Sequence, residues 1–152
     1  MRSRCSLSLF LLLLLLSAPN RSFAVEPYQQ IKDIEYATAD HHRLLLDLYL
    51  PKSKQPPLVV WIHGGAWRAG SKANMPLINL VKNGFAVASV DYRLSPVAKF
   101  PAQIHDIKAA IRFLRGSAEK YGYNADKIGI LGSSAGGHLV ALTGVTNGNQ
   151  QL

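Results

Sequence analysis

Leu58-Val59-Val60-Trp61-Ile62 is an unbroken apolar run, fenced by Gln55-Pro56-Pro57 before it and His63-Gly64-Gly65 after it. A run so short and uniform suits a strand buried on both faces, and such strands belong to parallel sheets covered by helices. Two more short apolar runs, Phe85 to Val90 and Ile128 to Leu131, alternate with helix-like stretches. The spacing predicts a helix over Met75 to Lys82, closed by Asn83-Gly84. It predicts a longer one opened by Pro101, with Ile104, Ile107, Ala110, Ile111 and Leu114 on one face and Lys108, Arg112 and Arg115 on the other. A polar turn, Tyr121 to Asp126, precedes the third run, and Ala135 to Val145 reads as a helix rich in small residues.

Upstream, Val25 to Gln30 is an extended lead-in to two β-like runs, Ile31 to Thr38 and Leu44 to Leu50, which form a hairpin around Asp40, His41 and His42. The order β-β-β-α-β-α-β-α predicts an α/β fold with a mostly parallel sheet and flanking helices. Ahead of it, Arg2 and Arg4 precede an apolar stretch from Leu7 to Ala18, too short to span a bilayer. Small residues at Ser22 and Ala24 complete a secretory signal peptide over residues 1–24, with cleavage expected after Ala24 and export to the periplasm or the medium. No stable membrane span is expected after cleavage.

The mature chain of 128 residues carries 14 basic against 9 acidic groups, a mild +5. Its lysines and arginines are scattered, so the charge reads as a solvated surface and no nucleic-acid partner is expected. Cys5, the single cysteine, leaves with the signal. That removes disulfides, a thiol nucleophile and thiolate metal sites. His41 and His42 have no third ligand at metal-binding spacing. No metal or organic cofactor is implied.

Chemistry concentrates in two motifs. Gly132-Ser133-Ser134-Ala135-Gly136 fits G-x-S-x-G between a buried strand and a helix, where a serine sits on a sharp, strained turn. Ser134 is the central serine and the candidate nucleophile. His63-Gly64-Gly65-Ala66-Trp67 follows the run Leu58 to Ile62, at the carboxyl end of its strand, where sites in open parallel sheets gather. If both loops meet at one sheet edge, their main-chain N–H groups can converge on one oxygen.

With Asp91-Tyr92-Arg93-Leu94-Ser95-Pro96, and Phe100-Pro101-Ala102-Gln103 with Asp106, these motifs stand in the order of a known family. The chain resembles the N-terminal half of an α/β-hydrolase of the hormone-sensitive-lipase-like esterase and lipase group, near secreted acetyl and feruloyl xylan esterases. The resemblance implies a serine carboxylic-ester hydrolase acting through an acyl-enzyme, with a small-molecule or carbohydrate ester as partner and acylated polysaccharide among its substrates. It gives Ser134 the role of nucleophile. The N–H groups of Ala135, Gly65 and Ala66 become oxyanion donors, with Gly64 chiefly shaping the turn. Ala66 stands where the family motif has its third glycine. His63 is expected to hold the loop, and Arg93 with Asp106 to brace the loop after Val90 against the following helix. Trp67 is equally suited to pocket lining and to packing.

The family's acid and histidine follow the nucleophile in the chain. Only 18 residues follow Ser134; none is Asp or Glu, and His138 is their single histidine. His63, His105 and His138 are each poorly placed as general base. The chain is therefore expected to be the N-terminal part of one hydrolase domain, residues 25–152, inactive by itself. A formamidase- or peptidase-like hydrolase on the same fold, and a truncated fragment or binding module without chemistry, are the alternatives.

Overall fold

The computed structural model describes residues 27–149; the expected signal peptide lies outside the described residues. Five strands form one mixed sheet: β1 (Tyr28–Ala39), β2 (His42–Pro51), β3 (Pro57–Ile62), β4 (Ala86–Val90) and β5 (Asn124–Gly132), in the order β1-β2-β4-β3-β5. β4, β3 and β5 are parallel neighbours, and the antiparallel β1–β2 hairpin joins them through β4. Asp40 and His41 turn the hairpin with φ of 50° and 62°, between the paired residues Ala39 and His42. Positive φ at both central positions gives the strands the twist a two-residue loop needs.

Helices α1 (Ile78–Lys82), α2 (Ala102–Gly116), α3 (Ala118–Tyr121) and α4 (Ala135–Val145) complete the described fold. The uniform run on β3 is explained by two cores. Leu58, Val60 and Ile62 pack with Leu46, Leu48, Ala88 and Val90 beneath Ile107, Ala110 and Leu114 of α2 and Leu139 of α4. Val59 and Trp61 point into the opposite cluster with Tyr49, Val87 and Val81 of α1. Alternate residues thus serve opposite faces, and neither face is left to water.

Several elements differ from expectation, β1 among them, which starts at Tyr28 and pairs from there with Pro51. α1 starts at Ile78 rather than Met75, because Pro76 disfavours helical backbone at the residue before it. β5 begins at Asn124, inside the predicted polar turn: Asn124 pairs with Pro57, then the register shifts before Leu58–Ile128. The Asn124 side chain accepts the Asp126 N–H at 2.8 Å, so the turn-like residues make a bulge within a strand. α3 is a single turn, ended by left-handed Gly122, that the hydrophobic spacing does not predict.

The chain runs from β3 through α1 to β4 on one side, then through α2 to β5 on the other. This reversal makes a switch point at the carboxyl ends of β3 and β5, where both motif loops emerge. Arg93 fixes the neighbouring loop as expected. Its Nη2 and Nε reach the two Asp106 carboxylate oxygens at 2.7 and 2.9 Å, and its backbone N–H adds a third bond at 2.9 Å. Nη1 meets Asp40 of the hairpin turn at 2.6 Å.

The two acids should differ sharply in weight. Asp106→Ala leaves a buried guanidinium without its main partner and should cost about 3–5 kcal/mol in chemical denaturation. Asp40, exposed at the turn, should cost less than about 1 kcal/mol when changed to alanine.

Candidate active site

Ser134 stands between β5 and α4 with φ 52° and ψ −119°, a conformation costly for a side-chain-bearing residue. Close packing holds it there. The Ser133 N–H donates to the Ile62 carbonyl at 3.3 Å, and the Gly136 N–H to the Ser133 carbonyl at 2.8 Å. A Cβ on Gly136 would collide with the Ile62 and His63 carbonyl oxygens, and one on Gly64 would lie 2.8 Å from the Ser133 oxygen. These glycines therefore let the end of β3 and the elbow come into backbone contact. The two motifs meet at one sheet edge.

The loop after β3 is itself a tight turn. The Gly65 carbonyl accepts the N–H groups of Arg68 and Ala69 at 2.9 and 3.0 Å, and the Trp67 carbonyl accepts the Ser95 N–H at 2.7 Å. Gly65, Ala66 and Trp67 have φ of 112°, 52° and 58°. Ala66 thus takes the left-handed conformation that the glycine of the family motif would adopt more easily. Among the described residues, the N–H groups of Gly65, Ala66 and Ala135 make no hydrogen bond, and neither does Ser134 Oγ. Free donors and a free hydroxyl therefore stand on adjoining backbone.

His63 is 2% exposed and stacked on Tyr92, with ring centroids 4.5 Å apart. Its Nδ1 lies 2.7 Å from the Gly64 carbonyl oxygen, which only accepts, so Nδ1 carries the proton. The Tyr92 hydroxyl donates to the His63 carbonyl at 3.1 Å, and burial pushes that phenol up to about 12. His63 thus holds the loop, as the resemblance implied. His138 lies in the first turn of α4 and presents its ring edgewise to Trp67 at 5.4 Å. It makes no side-chain bond to Ser134. His105 is exposed on α2 and borders a cavity that includes neither motif loop.

Cavities flank the loop on both sides. One of about 290 Å³ is bounded by Ala66, Trp67, Phe100, His138 and Leu139. The other, about 620 Å³, is bounded by Trp61, Gly64, Met75, Pro76 and Ser133. Trp67 is 38% exposed, so it lines a cavity wall rather than filling a core. Asp47 and Lys72, which no motif marks, gather with Asp91 behind the loop. A signal was present: Asp47 interrupts the leucines of β2, and a carboxylate at a core-facing position requires a cation.

A strained serine turn packed on a glycine loop, at the carboxyl edge of a sheet with helices on both faces, is the arrangement of an α/β-hydrolase. The profile of the BD-FAE family matches residues 46–152, and the chain belongs to that family. It is 38% identical over 113 residues to esterase LipC of Mycobacterium tuberculosis, covering 70% of this chain and 28% of that protein. It is 36% identical over 131 residues to an arylesterase of Saccharolobus solfataricus, covering 84% and 42%. Among solved structures, a bifunctional GH43-CE protein of Bacteroides eggerthii superposes with a TM-score of 0.71 at 45% identity, over 80% of this chain and 18% of that one. A truncated carbohydrate esterase from gut microbiota gives 0.68 at 39%, over 81% and 46%. The chain spans less than half the length of these relatives.

Two glycines of α4 should respond oppositely to alanine. Gly136→Ala drives a methyl into the end of β3 and should cost about 3 kcal/mol or more. Gly144→Ala meets nothing within 4 Å and should stabilise by about 0.5–1 kcal/mol. Thermal denaturation of both variants reads the two signs.

Proposed function

We propose that this chain carries the nucleophile and oxyanion donors of an exported serine carboxylic-ester hydrolase. The observation that carries this reading is the strained Ser134, its hydroxyl unengaged, beside unengaged N–H groups at Gly65, Ala66 and Ala135. Ser134 Oγ attacks the ester carbonyl carbon and gives up its proton to a general base. Charge moves to the carbonyl oxygen, where main-chain donors already in place stabilise it without reorganising. Collapse breaks the bond to the alcohol oxygen, which leaves protonated, and the acyl group stays on Ser134. Water then hydrolyses that ester and restores the hydroxyl.

The base is not His63, whose Nδ1 proton is committed to Gly64 and whose ring is enclosed. We assign the base and its carboxylate partner to residues outside 27–149, within the same hydrolase domain. The two carbohydrate-esterase neighbours support acyl groups on polysaccharide as the substrate class. Cavities on both sides of the oxyanion loop give the acyl and alcohol portions separate places.

In the whole gene product, Ser134→Ala should lower p-nitrophenyl acetate hydrolysis by about ten-thousandfold or more. Ser133→Ala should retain most of it, since Ser133 contributes backbone to the elbow. The reverse ranking would place the nucleophile one residue earlier. Export is tested separately: mass analysis of secreted material should find a mature chain starting at Val25, and retention of residues 1–24 would contradict the cleavage.

A further inference from the structure

Behind the oxyanion loop, Lys72 ties three strands and the loop after β4 to one point. Its Nζ lies 2.7 Å from Asp33 Oδ1 on β1 and 2.8 Å from Asp47 Oδ1 on β2. Its backbone N–H donates to Asp91 Oδ1 just past β4, and its carbonyl accepts the Ser89 hydroxyl of β4 at 2.7 Å. Asp47 is 3% exposed, and its Oδ1 also accepts the Asp33 N–H at 2.9 Å. That bond holds Asp33, at φ 57°, in the irregularity of β1 between Ile31 and Ile34. The irregularity of an edge strand and a buried carboxylate of its neighbour thus meet on one ammonium. Burial works against the Lys72 charge, but the bonds to Asp33 and Asp47 outweigh it and hold its pKa above the ordinary lysine value.

We infer that Lys72 is a positioning residue for the oxyanion loop, acting through its anchorage to Asp47 and Asp33 and through Asp91. The outgoing end of the excursion, His63-Gly64, is fixed by β3 and the elbow. The returning end packs Gly70 against His63 and the Gly64 carbonyl. Lys72 is two residues further on, and it sets where that end can sit. Asp91 closes the circuit, because the oxygen accepting the Lys72 N–H is also 3.9 Å from His63 Nε2. Free N–H groups at Gly65 and Ala66 lie inside this loop, so their aim depends on an ion pair formed on the neighbouring hairpin. Misplacing such donors by about 1 Å costs on the order of a hundredfold in rate.

This inference rests on the hydrolase reading for its kinetic consequence but not for its structural one. In the whole gene product, Lys72→Met alone strands the Asp47 carboxylate and risks misfolding, so the informative variant is Lys72→Met with Asp47→Asn. That pair should melt within a few degrees of wild type. Its kcat should fall about a hundredfold with KM little changed, and amides 64–69 should exchange hydrogen faster. Lys72→Arg, which keeps the ion pairs, should recover most of kcat. A double variant with wild-type kcat and unchanged exchange over 64–69 would overturn the inference. Should the wild-type protein show no Ser134-dependent turnover, the hydrolase reading fails, and loop exchange alone then decides for or against Lys72.

Discussion

The backbone contact between the elbow and the end of β3 is the constraint from which the rest of the site follows. Gly136 is seated against the Ile62 and His63 carbonyls, and Gly64 against the Ser133 carbonyl. Any Cβ at Gly136 would push α4 off the sheet, and with it Ser134. The contact also sets a requirement on the sheet, since β3 and β5 must be adjacent and parallel for their carboxyl ends to coincide. The route from β3 to β4 and back across to β5 supplies that adjacency.

Around this contact the polar interior is arranged as braces. Arg93 joins the loop after β4 to α2 and to the hairpin turn, and Lys72 joins the loop after β3 to both hairpin strands. Both cations are largely enclosed, and both are paired by two carboxylates. Asp106 and Asp47 are the buried partners and Asp40 and Asp33 the exposed ones, so removing a buried carboxylate strands an enclosed cation, and the buried half of each network favours one loop geometry over its alternatives. The hairpin, formally an edge of the sheet, is in this way part of what shapes the site.

Much of this was legible in the chain. The uniform run at 58–62 pointed to a doubly covered strand, and the alternation of Val60 and Trp61 between the two cores is why no polar residue interrupts it. The elbow, the glycine loop and the hairpin turn could each be read from short motifs whose backbone demands are local, and the Arg93–Asp106 pair from two motifs standing in family order. What escaped was set by distant pairing. Asn124 to Asp126 look like a turn because their side chains favour one, yet contact with Pro57 draws them into β5 as a bulge. The Lys72 cluster joins residues 33, 47, 72 and 91, and no local spacing connects them.

An activated Ser134 facing preorganised donors has a chemical signature. Covalent capture reads it: the whole gene product is treated with a p-nitrophenyl alkylphosphonate, digested and mapped by mass spectrometry. A single adduct is expected on Ser134, with release of one equivalent of p-nitrophenol and loss of ester turnover in step with labelling. An adduct on Ser133 or another residue, or full turnover after Ser134 is labelled, would contradict it.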